Sequence, residues 1–176
     1  MSILKVARMG HPVLRAKARA IERSDIKTAA VQKLIDDLLD TMAEYHGVGL
    51  AAPQVHEGLR LFVASLDAGE DGRDNEPYVI INPEISVVGN DIVEDWEGCL
   101  SIPDVRGRVP RAREIDVRGL DRHGERLQLS AHDFAARVIQ HETDHLDGVL
   151  FLDRMRSFES LTFLDEYSRH WARDSD

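Results

Sequence analysis

Residues 137–148 read RVIQHETDHLDG, and the reading of His141-Glu142-Thr143-Asp144-His145 within them decides what kind of molecule this chain makes. On an α-helix, positions i and i+4 stand one turn apart on the same face, so two imidazoles at that spacing can hold one metal ion. The Glu directly after the first His is then placed to move a proton of a water molecule rather than to bind the metal. Phe134, Val138, His141 and His145 continue one helical stripe, which predicts that both His face the interior. Imidazole nitrogens turned toward a core need partners, and a metal supplies one for each ring. Gly148 follows as the residue that closes the helix.

Working outward, Ser24-Asp25 predicts an N-cap for a helix running to about Tyr45, with Ile26, Ala30, Leu34, Leu38 and Met42 on its apolar side and Gly47 ending it. Leu59 to Leu66 is a candidate strand, followed by a Gly-, Asp- and Asn-rich loop from Asp67 to Pro77. Tyr78 to Ile81 and Ile85 to Val88 are candidate strands on either side of Asn82-Pro83, and Gly89-Asn90 suggests a hairpin turn. Ile115 to Leu120 and Arg126 to Leu129 alternate apolar and polar residues around Asp121-Arg122-His123-Gly124, a second hairpin signature. The motif helix begins near Asp133. A last amphipathic helix is expected over about 158–171, with Leu161, Leu164, Tyr167 and Trp171 as a stripe packed into the core. Together these predict an α+β fold: antiparallel strands packed around a central metal-binding helix, in one domain spanning 1–176.

The chain has 176 residues, 43% hydrophobic and 31% charged, enough for one well-formed core. A formal net charge of −10 argues against a broad DNA- or RNA-binding face, which would concentrate Lys and Arg. No apolar run approaches the ~20 residues that span a bilayer. The single cysteine, Cys99, excludes an intramolecular disulfide and fits a reducing, cytoplasmic setting. The first 22 residues are rich in Arg and Lys, as in an organelle transit peptide, but poor in Ser and interrupted by Gly10-His11-Pro12.

Two His do not complete a catalytic metal site, which usually takes three protein ligands and leaves one position open. The zinc-peptidase pattern with a third His fails, because Phe151 stands where that ligand is required. Two alternatives remain at this point. A downstream carboxylate, Glu159 or Glu166, would make an HExxH metallopeptidase. Cys99, in Glu97-Gly98-Cys99-Leu100-Ser101-Ile102-Pro103, would provide a soft thiolate. A third segment, Gly47-Val48-Gly49-Leu50-Ala51-Ala52-Pro53-Gln54, lacks the phosphate-loop pattern, but its glycines allow close backbone approach and Gln54 can donate to a developing oxyanion.

GVGLAAPQ, EGCLSIP and QHETDHLDG, in that order, resemble the three signature motifs of peptide deformylases. The likeness extends to Gly10-His11-Pro12-Val13-Leu14-Arg15 and to Arg106–Arg111, covering about residues 3–156. It implies Cys99, His141 and His145 as metal ligands, Glu142 as acid/base, and Gln54 with the Leu100 N–H as holders of the formyl oxygen. It also implies that Gly49, Glu97 and Arg106 help place the peptide, and that methionine enters an apolar pocket near Val48, Phe134 and Val138. The implied cofactor is Fe²⁺, replaceable by Zn²⁺, Ni²⁺ or Co²⁺; the implied substrates are N-formylmethionyl nascent peptides. With the domain expected to begin so near Met1, no transit peptide is expected. Two departures stand out: Thr143, where Met is frequent and which is expected to point away from the metal, and Arg137, where some members carry an apolar pocket residue. Some relatives dock on the ribosome through a basic C-terminal extension; from Asp153 to Asp176 this chain has more acids than bases, which predicts no such anchor.

Overall fold

Leu61-Phe62-Val63-Ala64 is an unbroken apolar run, and the fold explains why. Leu61 and Val63 belong to one core cluster with Ile35, Leu38 and Met42, whereas Phe62 and Ala64 belong to a second with Ala136, Val138 and Ile139. A strand alternates its side chains between two faces, so a run with no polar residue marks a strand covered on both sides. The computed structural model describes residues 2–66 and 76–172. Most of the expected 67–77 loop lies outside them.

The first helix, α1 (Ala29–Glu44), covers one face. It starts at Thr28, whose side chain accepts from Val31 N–H, rather than at Ser24-Asp25; residues 23–27 form turns instead. The buried stripe is Val31, Ile35, Leu38 and Met42, while Ala30 is exposed. The sheet strands are β1 (Gly49–Ala51), β2 (Leu61–Ala64), β3 (Tyr78–Cys99), β4 (Ile102–Leu120) and β5 (Arg126–His132). They pair antiparallel in that order. The opposite face is covered by α2 (Asp133–Leu146).

β3 differs from expectation. The sequence suggests two strands and a hairpin at Gly89-Asn90, yet β3 runs without interruption along β4, from Ile81↔Leu120 to Cys99↔Ile102. Asn82-Pro83 and Gly89 are accommodated by register shifts between Ile81 and Glu84 and between Val88 and Ile92. Asn82 takes φ +51°, and its amide accepts from Ile21 N–H (2.9 Å) and donates to Ile21 C=O (2.8 Å), which ties the bulge to the N-terminal segment. The Asp121–Gly124 hairpin forms as expected between β4 and β5.

The C-terminal region also departs from a single helix. After α3 (Phe151–Arg154) come a 3₁₀ turn at Phe158–Ser160, β6 (Thr162–Phe163) and α4 (Leu164–His170). Thr162 and Phe163 pair with Arg106 and Val105 of β4, so a free strand edge captures residues that could have continued a helix. No residue of α4 is buried, and Trp171 is 49% exposed; the stripe does not enter the core. No helix among the described residues is long and apolar enough to cross a membrane.

Candidate active site

The helix α2 begins at an extended His132 and ends with Asp147 as C-cap and Gly148 at φ +74°, the left-handed residue expected there. Only glycine fits, since a Cβ would lie 2.6 Å from the Arg15 carbonyl oxygen. Thus anchored, α2 places His141 and His145 on its inner side, 8% and 1% exposed. Phe134 is the exception to the expected inward stripe: it stands in the first turn at the cleft mouth and is 45% exposed.

Cys99 reaches the same point from the end of β3, just before the tight turn into β4. Its Sγ lies 3.3 Å from His145 Nε2, and the donor atoms of Cys99, His141 and His145 all lie within 4.8 Å of one another. Tetrahedral coordination by one S and two N ligands needs donor separations of roughly 3.4–3.6 Å, so modest closure accommodates an ion. A thiolate with two imidazoles is a donor set suited to a first-row transition metal. Burial opposes ionisation of the Cys99 thiol, but the adjacent His145 and His141 outweigh it and bring its pKa well below the ordinary range. Glu166 and Glu159 are elsewhere: Glu166 pairs with Arg169 (2.8 Å) on α4, and Glu159 is exposed in the preceding 3₁₀ turn.

Glu142 is 4% exposed, and burial pushes its carboxyl pKa up to about 7. Its Oε2 is buried without a hydrogen-bond partner. A carboxylate left so has a use for a proton or a water molecule. Gly49 makes its position possible, because a Cβ there would stand 2.4 Å from Glu142 Oε1. Gln54 lies in the 3₁₀ turn after β1, 1% exposed. Its Oε1 accepts from Ala51 N–H (2.8 Å), which orients Nε2 toward Ser101 Oγ (3.2 Å) and Cys99 Sγ (3.5 Å).

Behind the ligands lies a buried ionic network that the sequence did not suggest. His141 Nδ1–H donates to Glu97 Oε2 (2.9 Å), and Glu97 accepts further from Arg111 Nε (2.9 Å), Arg111 Nη2 (3.0 Å) and Arg137 Nη1 (2.8 Å). Arg111 also bonds Asp144, which accepts from Arg154 Nη2 (2.6 Å). Burial works against ionisation of Glu97, yet the hydrogen bonds from His141 and Arg111 outweigh it and hold its pKa at about 2. Such a partner fixes the tautomer of a ligating His. Arg137 is not a free charge at the pocket rim: its guanidinium also caps the carbonyls of Val109 and Val93, both at 2.7 Å.

These groups line one open cleft of about 700 Å³, with Gln54, Cys99, Leu100, His141 and Glu142 inside it and Val48, Gly49, Glu97, Arg106, Phe134 and Val138 also on its walls. Arg106 lies directly over Gly98, where a Cβ would come within 1.8 Å of its guanidinium.

A thiol, an imidazole and an unpartnered carboxyl lining a peptide-sized cleft, with a second imidazole 3.3 Å from the thiol, define a metal-dependent hydrolase. Residues 3–160 match the family model for polypeptide deformylase. The chain belongs to that family, whose reaction removes the N-terminal formyl group from nascent peptides. Peptide deformylase 2 of Nostoc sp. is 44% identical over 168 residues, covering 94% of this chain and 93% of that one. The class I type b peptide deformylase of Acinetobacter baumannii, solved with Met-Ala-Ser bound, has a TM-score of 0.81 at 35% identity, covering 88% of this chain and 99% of that chain. Peptide deformylase from Thermotoga maritima gives 0.80 at 35% identity, covering 89% and 100%.

Proposed function

We propose that Glu142, Gln54 and the Leu100 N–H carry the deformylation step, at a site where Cys99, His141 and His145 hold Fe²⁺ and accept Zn²⁺, Ni²⁺ or Co²⁺ in its place. The observation that carries this reading is the buried, unpartnered Oε2 of Glu142 beside three converging ligand atoms. When bound, the ion supplies Lewis acidity to the reacting water and the formyl oxygen. Glu142 takes the proton of the attacking water and delivers a proton to the leaving amine, so formate and a free N-terminus result. A carboxyl with a pKa near 7 suits both directions of transfer.

Gln54 is held at its oxygen by Ala51 N–H, so its Nε2, which donates to Ser101 Oγ and Cys99 Sγ, is the end that would turn to a developing oxyanion. Loss of one such donor typically costs about 2.7–4 kcal/mol of barrier. Val48, Phe134 and Val138 would receive the methionine side chain. Gly49 and Arg106 would position the peptide beyond it. The Glu97 carboxylate is fully occupied by His141, Arg111 and Arg137, so its contribution to peptide placement would come through the main chain. The ligand seen in the Acinetobacter relative, a peptide beginning with methionine, is of the class proposed here.

Incubation with formyl-Met-Ala-Ser and with unformylated Met-Ala-Ser is the test. Formate release from the first, with no peptide-bond cleavage in either, is expected; internal cleavage would favour the metallopeptidase alternative through Glu166. Iron as the working ion implies decay of activity in air as metal and thiolate oxidise, slowed by Ni²⁺ or Co²⁺; equal decay of iron and nickel forms would refute it. We also propose that the enzyme works in the cytoplasm, meeting nascent chains by diffusion, without DNA contact and without anchoring to the ribosome through the acid-rich residues 153–176. Low-salt co-sedimentation with ribosomes that depends on residues 157–176 would overturn the last point.

A further inference from the structure

The family match stops at residue 160, yet the chain beyond it returns to the cleft. Ser160 Oγ accepts from Arg108 N–H (3.0 Å), and Thr162 and Phe163 pair with Arg106 and Val105 on the edge of β4. That pairing brings Leu164, at the start of α4, into the wall of the cleft. On the next turns of α4, Tyr167 meets Trp96 edge-on at 5.0 Å between ring centroids, and Trp171 lies at 5.8 Å from the same indole. Arg108 sits over that indole at 5.9 Å. Trp96 in turn immediately precedes Glu97-Gly98-Cys99 and lines the cleft itself.

An ordered β-pairing, an aromatic cluster and a cation–π contact are more than an unattached terminus needs. They hold one apolar side chain, Leu164, in the cleft wall on a segment anchored to Arg106 and Trp96, whereas the proposed methionine pocket is built from Val48 and α2. We infer that the segment Thr162–Trp171 is a wall of the substrate cleft, and that Leu164 is a specificity-determining residue favouring apolar side chains at the second and third positions of the formylated peptide. This rests on the deformylase reading and extends it to the residues after formyl-methionine. Leu164 and Trp96, both half-buried, offer apolar surface to such side chains, whereas a small polar residue there gains no apolar burial.

The test compares kcat/KM for formyl-Met-Leu-Leu and formyl-Met-Ser-Ser, both uncharged along their side chains. The wild-type enzyme is expected to favour the first by about tenfold, mainly through KM. Leu164→Ala should bring that ratio down to about twofold. Trp171→Ala, which removes a support outside the cleft, should lower it in the same direction, and it carries the test if Leu164→Ala folds poorly. A wild-type ratio near one, or an unchanged ratio in both variants, would overturn the inference. Absence of formate release from either peptide would overturn the deformylase reading instead, and this inference with it.

Discussion

Gly49→Ala is the smallest change that should disable the site without touching a metal ligand. The added Cβ would lie 2.4 Å from Glu142 Oε1, 2.7 Å from Cδ and 2.8 Å from Cγ. Ordinary contact begins near 3.4 Å, so the Glu142 side chain must withdraw by about 1 Å. The whole end of the side chain is in the way, not only one oxygen, and Glu142 is 4% exposed, so a harmless rotation is unavailable. A misplacement of about 1 Å in a reacting group costs on the order of 100-fold in rate. That is about 2.7 kcal/mol of barrier. The backbone itself accepts alanine, since Gly49 pairs normally with Ala64 and is not among the positive-φ glycines. Formate release at saturating formyl-Met-Ala-Ser should therefore show kcat reduced about 100-fold, with metal content unchanged. A kcat within about threefold of wild type would refute the idea that Gly49 is small because Glu142 must sit against it.

Two further outcomes follow from the same geometry. Cys99→Ala should abolish metal retention after dialysis while Glu166→Gln keeps full loading; the reverse pattern would return the third ligand to α4. Glu97 is held ionised at about 2 against an ordinary 4.5, so its contribution to stability is fully present above pH 4.5 and is lost as pH falls toward 2. Urea midpoints measured across that window should fall more steeply for the wild type than for Glu97→Gln, and parallel curves would show that the network contributes nothing through this carboxylate.

What was legible in the sequence was what local chemistry specifies. The spacing of His141 and His145, Gly148 at the helix end, and the Asp121–Gly124 turn each act within a few residues, and each appears where expected. β3 reads as two strands in the sequence because a bulge is defined by the partner strand: Pro83 and Gly89 look like breaks until β4 is alongside. The C-terminal helix is shorter than its sequence pattern suggests for a similar reason, since the β4 edge that captures Thr162 and Phe163 is more than 50 residues away. The network from His141 through Glu97 and Arg111 to Asp144 and Arg154 has no local signature, as its members are separated by 10 to 44 residues. Asp144 inside the motif and Arg111 at the end of the Arg106–Arg111 segment were the available clues, and neither identifies the other.

The division of labour between Glu142 and the three ligand residues is tested most directly by measuring metal content and formate release together in Glu142→Gln. The amide is nearly isosteric and cannot carry the proton, so the variant should retain one metal equivalent and lose deformylation by at least about a hundredfold. Retained activity with metal in place would contradict the role given to Glu142, and loss of the metal along with activity would make it a ligand instead.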